Sequence, residues 1–257
     1  MLAYSYRDGK KPVLEEKKIP DLGDDYRAIV RVHACSICGT DIRTYRFGNS
    51  KIKEGTILGH EVVGRIEKIS EEWKEAFPVG SHIAMAPAIG CGKCHSCREG
   101  HTNMCSGLKT IGFEYDGGFA EYVVVPVWNL ISLPQQVSFE EAAMLEPMAV
   151  AVHAMRRMLP NKDMGAAVHA TGKMAISDRE NLPDEELLCK IAVCGLGTIG
   201  LLLLMFLKEA GVREVYAIGN KDFQKELALK LGLEESCYCD SRRQNQHQWL
   251  MERTGGV

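Results

Sequence analysis

Residues 190–211, KIAVCGLGTIGLLLLMFLKEAG, contain the pattern that decides the fold of the C-terminal part of the chain. The apolar run IAVC has the composition of a buried strand, and the segment LLLLMFL after it is typical of a helix. Between them, Gly195, Gly197 and Gly200 form a G-x-G-x-x-G motif. A motif of this kind between strand and helix indicates a dinucleotide-binding loop. The alternative is an ordinary glycine-rich turn.

Each glycine of this motif has a separate expected role. The first permits a tight turn, the second lets the backbone approach a pyrophosphate, and the third lets the helix pack on the strand. Thr198 and Ile199 begin the helix, where free backbone N–H groups face bound phosphates. We therefore expect Gly195, Gly197, Thr198, Ile199 and Gly200 to bind a nicotinamide dinucleotide.

A second predicted strand, 215–218, leads into Gly219, Asn220 and Lys221, which are further candidate cofactor residues. NAD-binding units usually have a carboxylate at this point that holds the ribose 2′-hydroxyl. Gly219 removes the repulsion toward a 2′-phosphate, and Lys221 could pair with that phosphate. The sequence predicts NADP preference or a relaxed choice between NADP and NAD. In the alternative interpretations, Asp222 supplies the carboxylate or Lys221 is only solvated.

The rest of the chain divides into a β-rich part and a βα part. Strands are predicted at 27–33, 61–69, 82–86 and 120–125. A helical pattern runs from Phe139 to Leu159, with Ser138 as its N-cap. Residues 161–189 have little periodicity and are interpreted as a partly ordered insertion or linker. The predicted fold class is α/β with a β-rich domain, divided into residues 1–152 and 153–257.

Four cysteines follow one another closely in the run GCGKCHSCREGHTNMC, at the spacing C-x2-C-x2-C-x7-C. Thiolates are soft ligands that suit Zn²⁺, and four of them complete a tetrahedral site with no open position for substrate. We expect Cys91, Cys94, Cys97 and Cys105 to bind a structural zinc ion. The alternative is a set of free thiols in a glycine-rich loop.

A second set of candidate ligands is scattered along the chain. It consists of Cys38 in the sequence CGTD, His60 and Glu61 in GHE, and Glu146 before a proline. Taken singly, each of these residues is more often structural than functional. Together they offer sulfur, nitrogen and carboxylate oxygen with an open position, which is the composition of a catalytic zinc site.

Composition and charge exclude several classes of protein. The 257 residues are 46% hydrophobic and 25% charged, a balance typical of globular proteins. A net charge of −3 argues against nucleic acid as a partner. The N-terminal residues lack the apolar region of a signal peptide, and no apolar run is long enough for a membrane span. Ten cysteines without an export signal indicate metal ligands and thiols, so a cytoplasmic location is expected.

These motifs together resemble the zinc-containing medium-chain alcohol and polyol dehydrogenases. The resemblance rests on CGTD from Cys38, GHE from Gly59, the four-cysteine run, DGGFAEYVVVP from Asp116, LEPMAVAVHA from Leu145 and GLGTIG from Gly195. It implies a GroES-like catalytic domain followed by a Rossmann dinucleotide-binding domain. It also implies two zinc ions, one catalytic and one structural, and a small-molecule alcohol as substrate.

The same resemblance implies roles for individual residues. Cys38, His60 and Glu146 correspond to catalytic zinc ligands, and Glu61 ligates directly or exchanges with water. Thr40 corresponds to the hydroxyl that relays the substrate proton. Asp41 corresponds to the carboxylate that orients the zinc-binding histidine.

The implied reaction is hydride transfer between an alcohol and NAD(P). Zinc lowers the pKa of the alcohol, and the hydride passes to the nicotinamide. Glu146, at a position where many alcohol dehydrogenases have cysteine, favours a polyol, a sugar alcohol or a hydroxy acid. Arg43 and Arg46 could meet a substrate phosphate; the alternative is that both are simply solvated.

The length of the chain leads to a further expectation. A complete dinucleotide fold needs two mononucleotide-binding halves, whereas the pattern here predicts two strands and a short third one near Tyr238. One alternative is therefore a zinc-binding remnant without full dehydrogenase activity. A sheet of so few strands leaves the apolar helix after Gly200 poorly covered. We therefore also expect a homo-oligomer or an unstable C-terminal third.

Overall fold

A computed structural model describes residues 1–7, 10–23, 26–158 and 190–255. They belong to two compact units, Met1–Glu146 and Pro147–Val257. The predicted boundary at 152/153 and this division both fall within one helix, Leu145–Met158. The predicted insertion at 161–189 lies outside the described residues.

The first unit is built on strands. Its strands are β1 (Leu2–Arg7), β2 (Lys10–Glu16), β3 (Arg27–Ser36), β4 (Glu61–Ile69), β5 (His82–Met85), β6 (Ala88–Ile89), β7 (Lys109–Thr110), β8 (Tyr122–Pro126) and β9 (Leu130–Ser132). Its helices are α1 (Gly39–Phe47), α2 (His95–Arg98), α3 (Phe139–Ala142) and the start of α4 (Leu145–Met158). The four strands predicted from the sequence are confirmed as β3, β4, β5 and β8.

A five-stranded antiparallel sheet in the order β8-β3-β4-β5-β9 forms the centre of this unit. β1 pairs with β2 and β6 pairs with β7 in two smaller antiparallel sheets. The alternation of apolar residues along the strands places Val30, Val62, Ile66, Ile83 and Val123 in one buried cluster.

One long helix was expected after Ser138, but the structure has two. Ser138 does cap the first, α3, because its hydroxyl accepts a hydrogen bond from the Glu141 backbone N–H. The helix then stops, and α4 begins at Leu145. Pro147 explains the break, since proline is tolerated in the first turn of a helix but not in its interior.

The second unit has the predicted βα order. Its elements are β10 (Lys190–Cys194), α5 (Thr198–Glu209), β11 (Glu214–Gly219), α6 (Asp222–Lys230), β12 (Tyr238–Asp240) and α7 (Gln246–Thr254). The strands are parallel, in the order β10-β11-β12, so the short third strand predicted near Tyr238 is confirmed. Leu204 and Leu207 of α5 pack against Val193 and Val215 in the core. In the described residues no helix combines the length and apolarity needed to cross a membrane.

Candidate metal centres and nucleotide site

The four cysteines of the GCGKCHSCREGHTNMC run come together in space. They lie in and around the loop between β6 and β7, and their sulfur atoms are all within 4.8 Å of one another. The structure therefore brings together all four of the candidate ligands, Cys91, Cys94, Cys97 and Cys105. This arrangement is possible because the ligands are local in sequence, with the short helix α2 beginning after Cys94.

Backbone N–H groups point at these sulfur atoms. The N–H groups of Cys91 and Gly107 donate to Cys105 Sγ at 3.3 Å, and the Cys94 N–H donates to Cys91 Sγ at 3.4 Å. N–H donors, chiefly that of Cys97, lower the pKa of Cys94 to about 6. Desolvation, followed by the neighbouring thiols, raises the pKa of Cys97 to about 12. Four thiolates this close need a cation, so the donor set fits zinc.

A second group of candidate ligands forms where β3 and β4 meet. Ser36, the last residue of β3, pairs with Glu61, the first residue of β4. Cys38 and His60 lie just beyond these ends, so the antiparallel pairing brings them together. The ligand atoms of Cys38, His60 and Glu61 lie within 4.8 Å of one another. Sulfur, imidazole nitrogen and carboxylate oxygen in one partly buried cluster fit a zinc ion with an open position.

Thr40 and Asp41 lie beside this group because both are in the first turn of α1. The Asp41 carboxylate accepts a hydrogen bond from the Cys38 backbone N–H at 2.9 Å, and its other oxygen lies 3.7 Å from His60 Nδ1. The carboxylate therefore faces Nδ1 and leaves the opposite ring nitrogen of His60 for a metal. Thr40 Oγ1 lies 3.5 Å from Cys38 Sγ.

The carboxylates of this site have raised pKa values. Burial raises the pKa of Asp41, partly offset by His60, and burial also raises the pKa of Glu61. Glu146 is not part of the group of three, but its carboxyl group interacts electrostatically with Glu61 and His60. Burial, followed by the Glu61 carboxylate, raises the pKa of Glu146, while His60 lowers it. A cation would relieve this crowding of buried acids.

A cluster of closely packed glycines lies next to His60, and the sequence motifs alone did not predict it. Gly59 has φ +92°, and a Cβ on it would lie 2.6 Å from the Phe119 ring. A Cβ on Gly117 would lie 2.1 Å from the Gly59 carbonyl oxygen. The Asp116 carboxylate accepts a hydrogen bond from the Ile57 N–H at 2.8 Å. The DGG sequence at 116–118 is the signal in the sequence for this close packing of two chain segments next to His60.

In the second unit, the three glycines of the G-x-G-x-x-G motif differ in their surroundings. Gly195 has φ +95°, a conformation that favours glycine. A Cβ on Gly200 would lie 2.0 Å from the Gly195 carbonyl oxygen, so helix and turn require a glycine there. Gly197 has an ordinary φ of −73°, and a Cβ on it would meet no atom within 4 Å. The fold does not need this glycine, and the open space fits a closely approaching pyrophosphate.

The end of β11 has an unexpected neighbour. A Cβ on Gly219 would lie 2.5 Å from the Tyr238 hydroxyl oxygen, which is buried and has no hydrogen-bond partner among the described residues. The Asn220 N–H donates to Gln224 Oε1 at 3.0 Å, and Lys221 is exposed. A side chain at position 219, such as a carboxylate, would therefore collide with the Tyr238 hydroxyl.

Asp222, the alternative source of that carboxylate, is already paired. Arg242 Nη2 lies 2.6 Å from Asp222 Oδ1 and 2.7 Å from Asp240 Oδ2. Hydrogen bonds from Arg242 hold the pKa of Asp240 at about 2 and also lower the pKa of Asp222. The charges of Asp222, Asp240, Arg242 and Lys221 add up to about zero. These side chains therefore present no excess negative charge to a 2′-phosphate.

Comparison with known proteins identifies alcohol dehydrogenases as the proteins that this chain resembles. Residues 24–135 match the alcohol dehydrogenase GroES-like domain. The chain is 32% identical to L-threonine 3-dehydrogenase of Caldanaerobacter subterraneus subsp. tengcongensis, over 84% of this chain and 55% of that protein. It is 28% identical to sorbitol dehydrogenase of Bacillus subtilis, over 85% of this chain and 56% of that protein.

A solved structure extends the likeness over almost all of the chain. Galactitol-1-phosphate dehydrogenase from Escherichia coli superposes with a TM-score of 0.78 at 25% identity, covering 98% of this chain and 66% of that one. The chain thus spans little more than half the length of the two curated relatives it matches. With both metal-ligand groups and the glycine-rich turn in the expected order, the chain belongs to the zinc-containing medium-chain alcohol and polyol dehydrogenase family.

Proposed function

We propose that this protein oxidises a secondary alcohol of a polyol, sugar alcohol or hydroxy acid to a ketone with reduction of NAD(P)⁺. The observation that carries the proposal is the cluster of Cys38, His60 and Glu61, whose ligand atoms lie within 4.8 Å of one another. A zinc ion held there supplies Lewis acidity to the substrate hydroxyl. Glu146 is proposed as a further ligand, because its carboxyl group is partly buried and interacts electrostatically with Glu61 and His60.

The residues around the metal ligands have positioning and proton-transfer roles in this proposal. Asp41 holds the Cys38 backbone N–H and faces His60 Nδ1, so it orients two ligands at once. Thr40 Oγ1 lies beside Cys38 Sγ, where its hydroxyl can accept the substrate proton and pass it outward. The four-cysteine cluster takes no part in the reaction and holds its loop through a second zinc ion.

For the cofactor we propose NADP, or NADP and NAD alike. A bound dinucleotide would supply the hydride acceptor, and residues of the glycine-rich turn would hold its pyrophosphate. Gly219 and Tyr238 leave no carboxylate for the ribose 2′-hydroxyl, and Asp222 is held by Arg242. Lys221 is exposed, with its Nζ 5.6 Å from the Phe223 ring centroid, and it can pair with a 2′-phosphate. A much higher kcat/KM with NAD than with NADP would contradict this part.

Two arginines on α1 narrow the range of candidate substrates. Arg43 and Arg46 are both exposed, in the same helix as Thr40 and Asp41. The similar E. coli protein named galactitol-1-phosphate dehydrogenase makes a phosphorylated sugar alcohol one candidate. An unchanged KM for such a substrate in Arg43→Ala and Arg46→Ala variants would remove this support.

We also propose that the protein forms a homo-oligomer. Leu202, Leu203 and Met205 of α5 remain partly exposed although the helix is strongly apolar. A second copy would cover such a surface. A monomer by light scattering, with protected amides throughout α5, would contradict the proposal.

The decisive experiment is an assay of the zinc-loaded protein for reduction of NADP⁺ and NAD⁺ with sorbitol, threonine and galactitol 1-phosphate. Turnover should require zinc and should fall in Thr40→Val but be retained in Thr40→Ser, which keeps the hydroxyl. If the protein binds two zinc ions per chain but neither binds a dinucleotide nor turns over any of these alcohols, the zinc-binding remnant is the correct interpretation instead.

A further inference from the structure

The outer face of the five-stranded sheet has a row of basic residues that the proposed reaction does not use. Arg31 of β3 lies directly opposite Arg65 of β4, and Arg65 lies directly opposite His82 of β5. Residues directly opposite in antiparallel strands have side chains on the same face. His33, two residues after Arg31, contacts the same aromatic ring as His82 and Arg65, as described next.

Phe139 of α3 holds three members of this row in place. Its ring stacks on the His33 imidazole, with centroids 4.1 Å apart, and lies 4.4 Å from the His82 ring. The Arg65 guanidinium lies 5.6 Å from the Phe139 ring centroid. Phe139 is itself only 6% exposed, so these basic groups rest on a rigid support. Their positions are therefore restricted before any ligand arrives.

The positive charge of this row is poorly compensated. In the described ranges, neither the Arg31 nor the Arg65 guanidinium has an ion-pair partner, and Arg31 has no aromatic contact either. The Glu140 carboxylate lies 4.0 Å from His33 Nε2, but its side chain is 78% exposed, so it compensates little of this charge. Like charges directly opposite one another on a sheet are unfavourable unless something neutralises them. The contact with Phe139 gives a structural reason for an arginine at position 65, but it gives none for an arginine at position 31.

A pocket lies at this place. It has a volume of about 350 Å³ and is lined by Arg31, Val32, His33 and Arg65. Pockets of a few hundred Å³ accommodate small molecules, and guanidinium forks match the geometry of phosphate oxygens. None of the lining residues belongs to either metal-ligand group.

We propose that Arg31, His33 and Arg65 form a binding site for a phosphoryl group, either inorganic phosphate or the phosphate of a small phosphorylated metabolite. The two guanidinium groups bind its oxygens, and His33 adds a third donor. Glu140 opposes the ligand, since its carboxylate lies on the edge of the site. The site contains no residue of either metal-ligand group, so this proposal does not depend on the proposed dehydrogenase activity.

The proposal is tested by calorimetric titration of the zinc-loaded protein with inorganic phosphate and, in a second arm, with glycerol 3-phosphate. Chloride at matched ionic strength is the blank. The variants are Arg31→Gln/Arg65→Gln, the single Arg31→Gln, and Glu140→Gln. Lys51→Gln/Lys53→Gln is the control, since it removes two exposed charges from a loop of the same unit. Tighter binding of glycerol 3-phosphate would identify a metabolite as the ligand, and equal or weaker binding would identify phosphate itself.

The double arginine variant should bind the phosphoryl group about tenfold more weakly or worse, because it loses two charge-assisted contacts. The lysine control should change affinity by less than about twofold, and Glu140→Gln should tighten binding. Should the double variant not fold, Arg31→Gln gives the same test, since Arg31 makes no contact with Phe139. Equal binding by wild type and arginine variants, or a response that chloride reproduces, overturns the proposal.

Discussion

The Tyr238 hydroxyl oxygen lies 2.5 Å from where a Cβ on Gly219 would be. The two residues are brought together because β11 and β12 are adjacent parallel strands, in which Gly219 pairs with Asp240 and Ala217 with Tyr238. A side chain at 219 and the tyrosine at 238 therefore exclude one another. In the proposed cofactor site, this contact leaves no room for a carboxylate at position 219.

The first prediction concerns this exclusion. Gly219→Asp should lower the free energy of unfolding of the second unit by about 1–3 kcal/mol, because it overpacks a buried position. Adding Tyr238→Ala should restore part of that loss and shift dinucleotide affinity toward NAD. Urea unfolding of both single variants and the double variant measures the coupling. Strictly additive effects would show that the two side chains do not compete for space.

The second prediction separates two glycines of the cofactor turn. Gly200→Ala should destabilise the protein, since its Cβ would meet the Gly195 carbonyl oxygen at 2.0 Å. Gly197→Ala should leave thermal stability close to that of wild type and weaken dinucleotide binding, since it fills open space. Thermal unfolding and fluorescence titration with NADPH make the comparison. A dinucleotide affinity unchanged by Gly197→Ala would exclude this turn as the pyrophosphate site.

The third prediction concerns the metal content. The protein should contain two zinc ions per chain by mass spectrometry of the native protein. Cys97→Ser should remove one and Cys38→Ser the other, because the ligands form two separate groups. A count of one zinc that Cys38→Ser leaves unchanged would mean that only the four-cysteine cluster binds metal.

The fourth prediction concerns Asp41 as a positioning residue. Asp41→Asn should weaken zinc binding at the Cys38–His60 site about 10- to 100-fold, because residues that orient metal ligands have effects of this size. Competition with a chromophoric chelator measures this affinity without any assay of turnover. Asp21→Asn, at an exposed position, is the matched control. Equal zinc affinities for both variants would show that Asp41 does not orient the zinc ligands. Its role would then be limited to the hydrogen bond from the Cys38 N–H.

The fifth prediction concerns the pH dependence of the second unit. Arg242 lowers the pKa of Asp240 from its ordinary 3.8 to about 2, so the ion pair contributes stability above the ordinary value. That contribution is lost as the pH falls toward the depressed pKa. The stability difference between wild type and Arg242→Gln should therefore shrink as the pH falls from about 5 to about 3.

Trp249 is the probe for this measurement, since it is buried in the second unit. Replacing Trp73 and Trp128 by phenylalanine leaves Trp249 as the single reporter, because the chain has three tryptophans. Arg243→Gln is the control: Arg243 is 79% exposed and reaches Asp240 only at 3.6 Å. A stability difference for Arg242→Gln that does not vary with pH would refute this account.

Local sequence patterns predicted much of the fold. The strand bounds of β4 were predicted to the residue, because its apolar alternation is regular and its ends are marked by neighbouring motifs. The helix after Ser138 was predicted too long, because helical periodicity continues through residues 143 and 144 although the backbone does not. Short strands such as β6 and β9 were missed, since two or three residues carry no periodic signal.

What the sequence alone determined is the chemistry available: a four-cysteine run, a glycine-rich turn and a scattered set of sulfur, nitrogen and oxygen ligands. The cysteines are close in the chain, so their assembly followed from spacing. Tertiary structure alone decided which distant residues meet. The pairing of Ser36 with Glu61 brings Cys38 close to His60. The adjacent strands β11 and β12 place the Tyr238 hydroxyl next to Gly219. The register between β3 and β4 places Arg31 opposite Arg65. Strand register depends on packing across the whole sheet, which no local pattern encodes.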